Sequence, residues 1–510
     1  MRKIITILLI LILVFSLNPV VNSIKLKTNN EIDYDPLTDV EVTVEIQTIR
    51  YLEEFVPETV NRNIFNRYAP RTIFMNAIQK FLNLKKETSS EPSMFVKVLI
   101  NDAEFNSNKW SNSRYVYNPS WSATLDVPDD TEFVNIKIQL WLSQSNKNIP
   151  CDLSGNSNTK EAELTYSIKT GHWQGDDQLS DPSGYGRLCG CDDGTIYDND
   201  QDCELWFDIY QNDFDNDNIP YWAEINDYQT DPELKNIGDP DNDKIPVEWE
   251  YKWGYNPFIF DDHENIDFDE DSINNYEEYL TSELFFSDPF RKDVFVEYDI
   301  MEEGPNGEKS YFPIGAKELI YNAFNRQNIV YHLDMDSPEG HDIVPFYNTI
   351  QGRDIIDVYV NYFLHGDENN WRRGVFHHGL VVYNVDGPPG FLYRRNAFLI
   401  ASKGMEEKAA NPFLGNREIV YGSAYMHELG HSFAFWPIPG HDDDSKNPLQ
   451  PGYWENRPYR SCMNYGWIYQ IVDYSNGTGA EPDIDDWARI NYHYFESDWH
   501  ITDDIISSKV

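Results

Sequence analysis

The sequence predicts a multidomain chain: an N-terminal antiparallel β-sandwich, a middle region of repeated acidic loops, and a C-terminal α+β domain. Three observations carry that prediction. Residues 24–185 contain runs that alternate apolar and polar side chains with a period of two, residues 186–290 repeat one acidic phrase, and residues 291–510 mix strand-like and helix-like periods. At 510 residues the chain is longer than one hydrophobic core can organise. Its 40% hydrophobic content, with 15% aromatics, suffices for real cores. The 86 acidic against 40 basic residues leave a formal charge of -46. A surface that negative disfavours nucleic acid and anionic membranes as partners and favours cations.

The first 23 residues read as a secretory signal peptide. Arg2 and Lys3 form its basic start, Ile4 to Leu17 its apolar core, and Val21-Asn22-Ser23 a small-residue cleavage pattern. The apolar run is short for a membrane-spanning helix, and an uncleaved anchor is the alternative. Either way the bulk of the chain is expected outside the cell. Five cysteines (Cys151, Cys189, Cys191, Cys203 and Cys462) leave at least one without an intrachain partner, and Cys191 with Cys203 would close a short loop.

In the first region DVEVTVEIQTI, MFVKVLI, WSATLDV and FVNIKIQLWL are strand-like, rich in Val, Ile and aromatics, and separated by turn-rich stretches such as NDAEFNSN and VPDD. Strands at that spacing suggest an antiparallel sandwich. The run from FVKVLINDAEF to VNIKIQLWLS resembles a C2-type sandwich in strand pattern, without a specific motif. A binding or spacer module is the default reading, and a propeptide the alternative.

The second region is punctuated by D-x-D-x-D-x-I-x-x-x-x-E, starting at Asp213, Asp239 and Asp267. Aspartates at loop positions 1, 3 and 5 offer oxygens to one point, position 7 offers a carbonyl and an apolar plug, and a position 12 glutamate closes the shell. The expected calcium ligands are therefore Asp213, Asp215, Asp217 and Glu224; Asp239, Asp241, Asp243 and Glu250; and Asp267, Asp269, Asp271 and Glu278. An acidic run is commonly a solvated face. Three copies in one register, each followed by an aromatic helix-like segment, argue for loops built around several structural calcium ions. Their spacing resembles thrombospondin type 3 and dockerin repeats. Loop position 6, often glycine, is Asn218, Lys244 and Ser272 here; asparagine tolerates a left-handed backbone, and the other two are strained by it.

The third region should open with a strand at RKDVFVEYDIM and a helix at IGAKELIYNAFNRQ. NIVYHLDMD, DIIDVYVNYFL, VFHHGLVVYNV and RNAFLIAS read as strands, and NREIVYGSAYMHELGHSFAF and DIDDWARINYHYF as helices. The first of those two helices contains His427-Glu428-Leu429-Gly430-His431, an H-E-x-x-H string. Positions i and i+4 share a helix face, so both imidazoles can face one zinc ion while Glu428 activates a water beside it. His332, His365 and His493 read as structural; His377 and His378 lie on a strand and could line a substrate edge, a structural role being the simpler reading.

About thirty residues later comes Ser461-Cys462-Met463-Asn464-Tyr465. Together the two motifs resemble the metzincin metalloproteases, whose signature is H-E-x-x-H-x-x-G-x-x-H followed by a Met-turn. The resemblance implies one catalytic zinc, Glu428 as general base, Met463 as an apolar floor, and Tyr465 as a donor to the oxyanion. Two positions depart from it. Ala434 stands where the family has the turn-making glycine, and Pro437, which has no ligating atom, where it has the third histidine. We therefore expect the helix to run on, Trp436 to Pro439 to break it, Gly440 to turn it, and His441 to return as third ligand. Asp442 is the alternative ligand. The functional expectation is a secreted, calcium-stabilised zinc endopeptidase acting on protein or peptide substrates; the alternative is an inactive calcium-dependent surface-binding or adhesion protein.

Overall fold

The computed structural model describes residues 33–51, 92–111, 113, 115–143, 147–177, 186–190, 201–334 and 342–494. The expected signal segment and Cys191, with its expected pairing, lie outside the described residues. No helix among them is long and apolar enough to cross a membrane.

Ten strands form two antiparallel sheets: β1 (Glu41–Tyr51), β2 (Met94–Ile100), β3 (Ala103–Asn106), β4 (Tyr115–Asp126), β5 (Phe133–Ser143), β6 (Asn148–Pro150), β7 (Ala162–Ser167), β8 (His172–Gly175), β9 (Arg187–Cys189) and β10 (Cys203–Gln211). One sheet is ordered β4-β1-β10-β9 and the other β3-β2-β5-β7-β8, with β6 on β5. Period-two patterning builds the interior. β2 buries Val96, Val98 and Ile100, β5 buries Ile136, Ile138 and Leu140, and both meet Val42, Val44 and Ile46 of β1 in one core. Each such side chain contributes about 1.5–3 kcal/mol on burial.

The sandwich runs past the boundary expected at residue 185, because β10 pairs with β1 along its length, from Val42 opposite Gln211 to Tyr51 opposite Cys203. CELWFDIYQ lacks alternation since both faces of β10 are covered: Leu205, Phe207 and Ile209 enter the core, and Trp206 packs toward Phe286. Cys151, Cys189 and Cys462 are buried.

Each acidic loop leads into helical turns: Tyr221 to Tyr228 after the first, α1 (Val247–Trp253) after the second and α2 (Asn275–Phe285) after the third. The position 7 residues Ile219, Ile245 and Ile273 are buried plugs, as their spacing requires. Asn274 and Glu277 form a reciprocal capping box at the start of α2.

The remainder is built on a mixed sheet, with β11 (Asp293–Met301), β12 (Val330–Asp334), β13 (Ile343–Val344), β14 (Phe376–Val382), β15 (Gly390–Arg394) and β16 (Ala397–Ala401). Its order is β12-β11-β14-β16-β15, with β13 on β11. Pairings are parallel except at β15, an antiparallel edge strand. β11 and β14 are buried almost throughout because helices cover both faces, as parallel sheets require. On one side lie α3 (Ile314–Asn325) and a sixteen-residue helix (Arg417–Ser432), and on the other α4 (Arg353–Val358); α5 (Ser402–Ala409) precedes the long helix, which is α6.

Two expectations fail here. DIIDVYVNYFL is not a strand: α4 continues into a wider helical turn at Tyr359–Phe363. Ile355, Val358, Tyr359 and Phe363 are buried at helical spacing, which the β-branched composition disguised. DIDDWARINYHYF is not one helix but two short 3-10 turns, Trp487–Arg489 and Tyr492–Tyr494. Tertiary contacts outbid helix propensity there. Asp486 accepts hydrogen bonds from the Tyr459 hydroxyl at 2.8 Å and from Ser475 N at 3.2 Å, while Trp487 packs edge-on against Phe324.

Candidate metal centre

The α6 helix begins at Asn416, whose side chain accepts from Ile419 N at 2.9 Å. Val420, Ala424 and Leu429 press into the core, and the helix packs against β15, where Gly390 faces Glu428. There His427 Nε2 lies 3.2 Å from His431 Nε2 and 3.3 Å from His441 Nε2. His427 and His431 are 3% and 7% exposed, and His441 is half-buried. His427 Nδ1 donates to the carbonyl of Cys462 at 2.9 Å, so its Nε2 carries the free lone pair.

The chain reaches His441 by a route other than the expected one. The helix does not run on: it ends at Ser432, and Ala434 adopts φ +60°. Alanine thus makes this left-handed turn itself, at a cost of about 1–2 kcal/mol. Gly440 at φ +71° makes the second turn, as expected. Its carbonyl accepts from Tyr465 N at 3.0 Å, which seats the Tyr465 ring 4.1 Å from that of His441. Asp442 does not join the histidines; its Oδ1 accepts from Ser445 N at 2.9 Å as a helix cap.

Met463, fully buried, lies against the helix at Gly430. A Cβ on Gly430 would stand 2.5 Å from its sulfur, so only glycine lets the turn pass that closely beneath the helix. Glu428 is 6% exposed, and burial alone pushes its carboxyl up to about 8. Burial, then the His441 ring, holds His427 down to about 3, and burial holds His441 down to about 4. His427 and His441 are therefore neutral ligands in waiting. Nitrogens about 2.0–2.1 Å from one tetrahedral ion lie about 3.3–3.4 Å apart. The observed spacings, 3.2 and 3.3 Å, fit that geometry.

Each acidic loop folds back on its first aspartate. Asp213 accepts from the backbone of Asn216, Asp217 and Asn218, Asp239 from Asp243 and Lys244, and Asp267 from Glu270, Asp271 and Ser272. Position 6 is left-handed in all three, at φ +71° for Asn218, +84° for Lys244 and +76° for Ser272. The position 1, 3 and 5 carboxylates of every loop gather within reach of one divalent cation. Asp215 Oδ2, Asp269 Oδ2 and both oxygens of Asp241, Glu250 and Glu278 are buried with no hydrogen-bond partner. Burial first, then neighbouring carboxylates, pushes Asp269 up to about 8 and Asp241 up to about 6. Anions so crowded suit a hard dication.

No family model and no curated protein matches the chain. Among solved structures, human GIVD cytosolic phospholipase A2 in complex with methyl gamma-linolenyl fluorophosphonate is 10% identical over 34% of this chain and 17% of its own, at TM-score 0.18. A structure titled as a C2 domain is 7% identical over 34% of this chain and 97% of its own, at TM-score 0.16. A C2 domain of plant extended synaptotagmin 1 is 9% identical over 34% and 94%, at TM-score 0.17. The chain thus spans under a fifth of the phospholipase, and likenesses this slight carry no weight for fold or function.

The sequence reading missed two groups at these sites. Asn236 Nδ2 donates to Asp217 Oδ2 at 2.8 Å and to Glu224 Oε1 at 3.1 Å, and His263 Nε2 lies 3.2 Å from Asp243 Oδ2 and 3.6 Å from Glu250 Oε1. Both stand three or four residues before the next loop, the signal that could have found them. Trp436, stacked on His431 at 4.8 Å, gave no signal beyond its place in the detour. His378 is structural, between Asp299 at 2.9 Å and the Tyr393 hydroxyl at 2.7 Å. So is His377, whose Nδ1 meets Ser432 Oγ at 2.9 Å.

Proposed function

We propose that this chain is an exported zinc-dependent endopeptidase of metzincin type, its acidic loops organised by calcium. One observation carries the reading: three imidazoles converge, two of them 3.2 and 3.3 Å from His427 Nε2, beside a buried carboxyl. His427, His431 and His441 would hold the ion. Zinc bound there supplies a Lewis acid that acidifies water and polarises a carbonyl.

The protein's own groups do the rest. Glu428, on the helical turn between His427 and His431, would take the proton of the attacking water and hand it to the departing amine. Tyr465, fixed beside His441, donates its phenol to the oxyanion. Met463 and Gly430 keep the floor apolar and tight, which holds both helical histidines in place. A peptide is the substrate class that fits. The mixed sheet ends at β15, and Gly390 at its start lies so close to Glu428 that a Cβ would come within 2.7 Å of Oε1. An extended backbone added to that edge would pass directly by the base. The acidic loops take calcium because the donors within each loop are oxygens, with orphaned carboxylates already gathered, and only the second adds a neighbouring imidazole, His263.

The test is cleavage of casein or gelatin by purified protein supplied with zinc and calcium. Glu428→Gln should abolish it while zinc content is unchanged. A wild-type chain that holds zinc yet cuts nothing in a broad peptide library overturns the enzyme and leaves a calcium-dependent surface-binding protein.

A further inference from the structure

We infer that the three acidic loops form a directional latch, and that the third cation site sets the competence of the peptidase sheet; this rests on the calcium reading proposed above. In every loop one oxygen of the position 5 aspartate faces away from the loop and accepts a backbone N–H from further along the chain. Asp217 Oδ2 accepts from Asn236 N at 2.8 Å, Asp243 Oδ2 from Asp261 N at 3.2 Å, and Asp271 Oδ2 from Asp293 N at 2.6 Å. The first two donors lie shortly before the next loop. The third is the first residue of β11, a central strand of the mixed sheet.

Each site therefore clamps the entry of the module that follows it, and the last module is the one bearing the three histidines. The third clamp is reinforced. Lys292 Nζ donates to the carbonyls of Asp269 and Glu270, tying the loop backbone to the residue before β11. Asp293 also accepts from Asp288 N at 3.1 Å through Oδ2 and meets His332 Nε2 through Oδ1. From β11 the contact continues to β14, where Val296 is opposite His377, and His377 reaches Ser432 at the end of α6, next to His431.

The cation is what closes the latch. Glu278 is 1% exposed, with neither oxygen hydrogen-bonded, and the charges it feels are those of Asp293 first, then Asp271 and Asp269. Asp267, Asp269, Asp271, Glu278 and Asp293 crowd together here, and a dication would offset their mutual repulsion. The two oxygens of Asp271 are divided: Oδ1 accepts from Ile273 N within the loop at 2.8 Å and Oδ2 from Asp293 N at 2.6 Å, the arrangement a cation would hold in place. The first site clamps only the second module, so its loss should stop short of the sheet.

Hydrogen exchange of the full chain, titrated with calcium at fixed zinc, tests this without relying on catalysis. Residues 287–301 should become protected as calcium fills the third site. Glu278→Gln should lose one calcium, leave 287–301 exchanging at least about tenfold faster, and raise the calcium needed for half-maximal casein cleavage about tenfold. Glu224→Gln should lose one calcium and leave exchange at 287–301 within about twofold. Asp269→Asn serves as the second variant if Glu278→Gln does not fold. Loss of calcium from the third site with unchanged exchange at 287–301 overturns the latch. A wild type that cuts nothing but shows calcium-dependent protection there overturns the peptidase reading and leaves the latch standing.

Discussion

Replacing Glu428 by glutamine should stabilise the zinc-free protein, and by more as pH rises. Burial alone pushes this carboxyl from its ordinary 4.5 up to about 8. A group whose folded pKa is raised stabilises the fold fully below its unfolded value, near 4.5, and loses that contribution as pH climbs through 8. At about 1.36 kcal/mol per unit, holding the site closed over the charged form costs about 3 kcal/mol by pH 7 and about 5 kcal/mol above pH 8. An amide of the same shape carries no such cost. The assay is urea unfolding of wild type and Glu428→Gln from pH 4.5 to 9, with zinc chelated and calcium kept saturating. The two should coincide near pH 4.5 and diverge steadily above it, and restoring zinc should close the gap because a dication favours the ionised carboxylate. Curves that stay parallel across the range would refute the reasoning, since the carboxylate would then be solvated rather than buried.

Three further outcomes follow from the same geometry. His441→Ala should lose zinc on dialysis while Asp442→Ala keeps it, because Asp442 is spent on Ser445 N; zinc retained at one per chain in His441→Ala would break the three-histidine assignment. Ala434→Gly relieves a left-handed alanine and should raise stability by about 0.5–1 kcal/mol, read as a melting temperature higher by about 2 °C; a lower one would mean that the turn is not strained. Gly390→Ala places a methyl 2.7 Å from Glu428 Oε1 and should cut peptide hydrolysis about a hundredfold with zinc content unchanged, so full activity would place the base elsewhere.

Much was legible where a periodic pattern reports a local constraint. The alternation in MFVKVLI and FVNIKIQLWLS marked half-buried strands, because every second side chain had to face one core. The acidic loops were legible because their donors lie within twelve residues, and left-handed turns at Asn218, Lys244 and Ser272 close them locally. β10 was not legible, since a strand covered on both faces loses its alternation. The segment after Gln351 was misread because β-branched residues can also bury a helical stripe when tertiary packing covers it.

At the candidate site, helix geometry alone put His427, Glu428 and His431 on one turn, and the residue types alone limited what they could bind. Only the folded chain decided which residue came third. Pro437 offers no ligand, and nothing local distinguishes His441 from Asp442. The choice depends on a left-handed Ala434, a second turn at Gly440, and a carbonyl there that Tyr465 holds in place. The clamps from Asn236, Asp261 and Asp293 were equally invisible, because they join groups about twenty residues apart through backbone N–H groups that every residue shares. Sequence determines chemistry wherever partners are neighbours along the chain; where they meet across modules, the fold decides, since a main-chain donor carries no signature in the side chain above it.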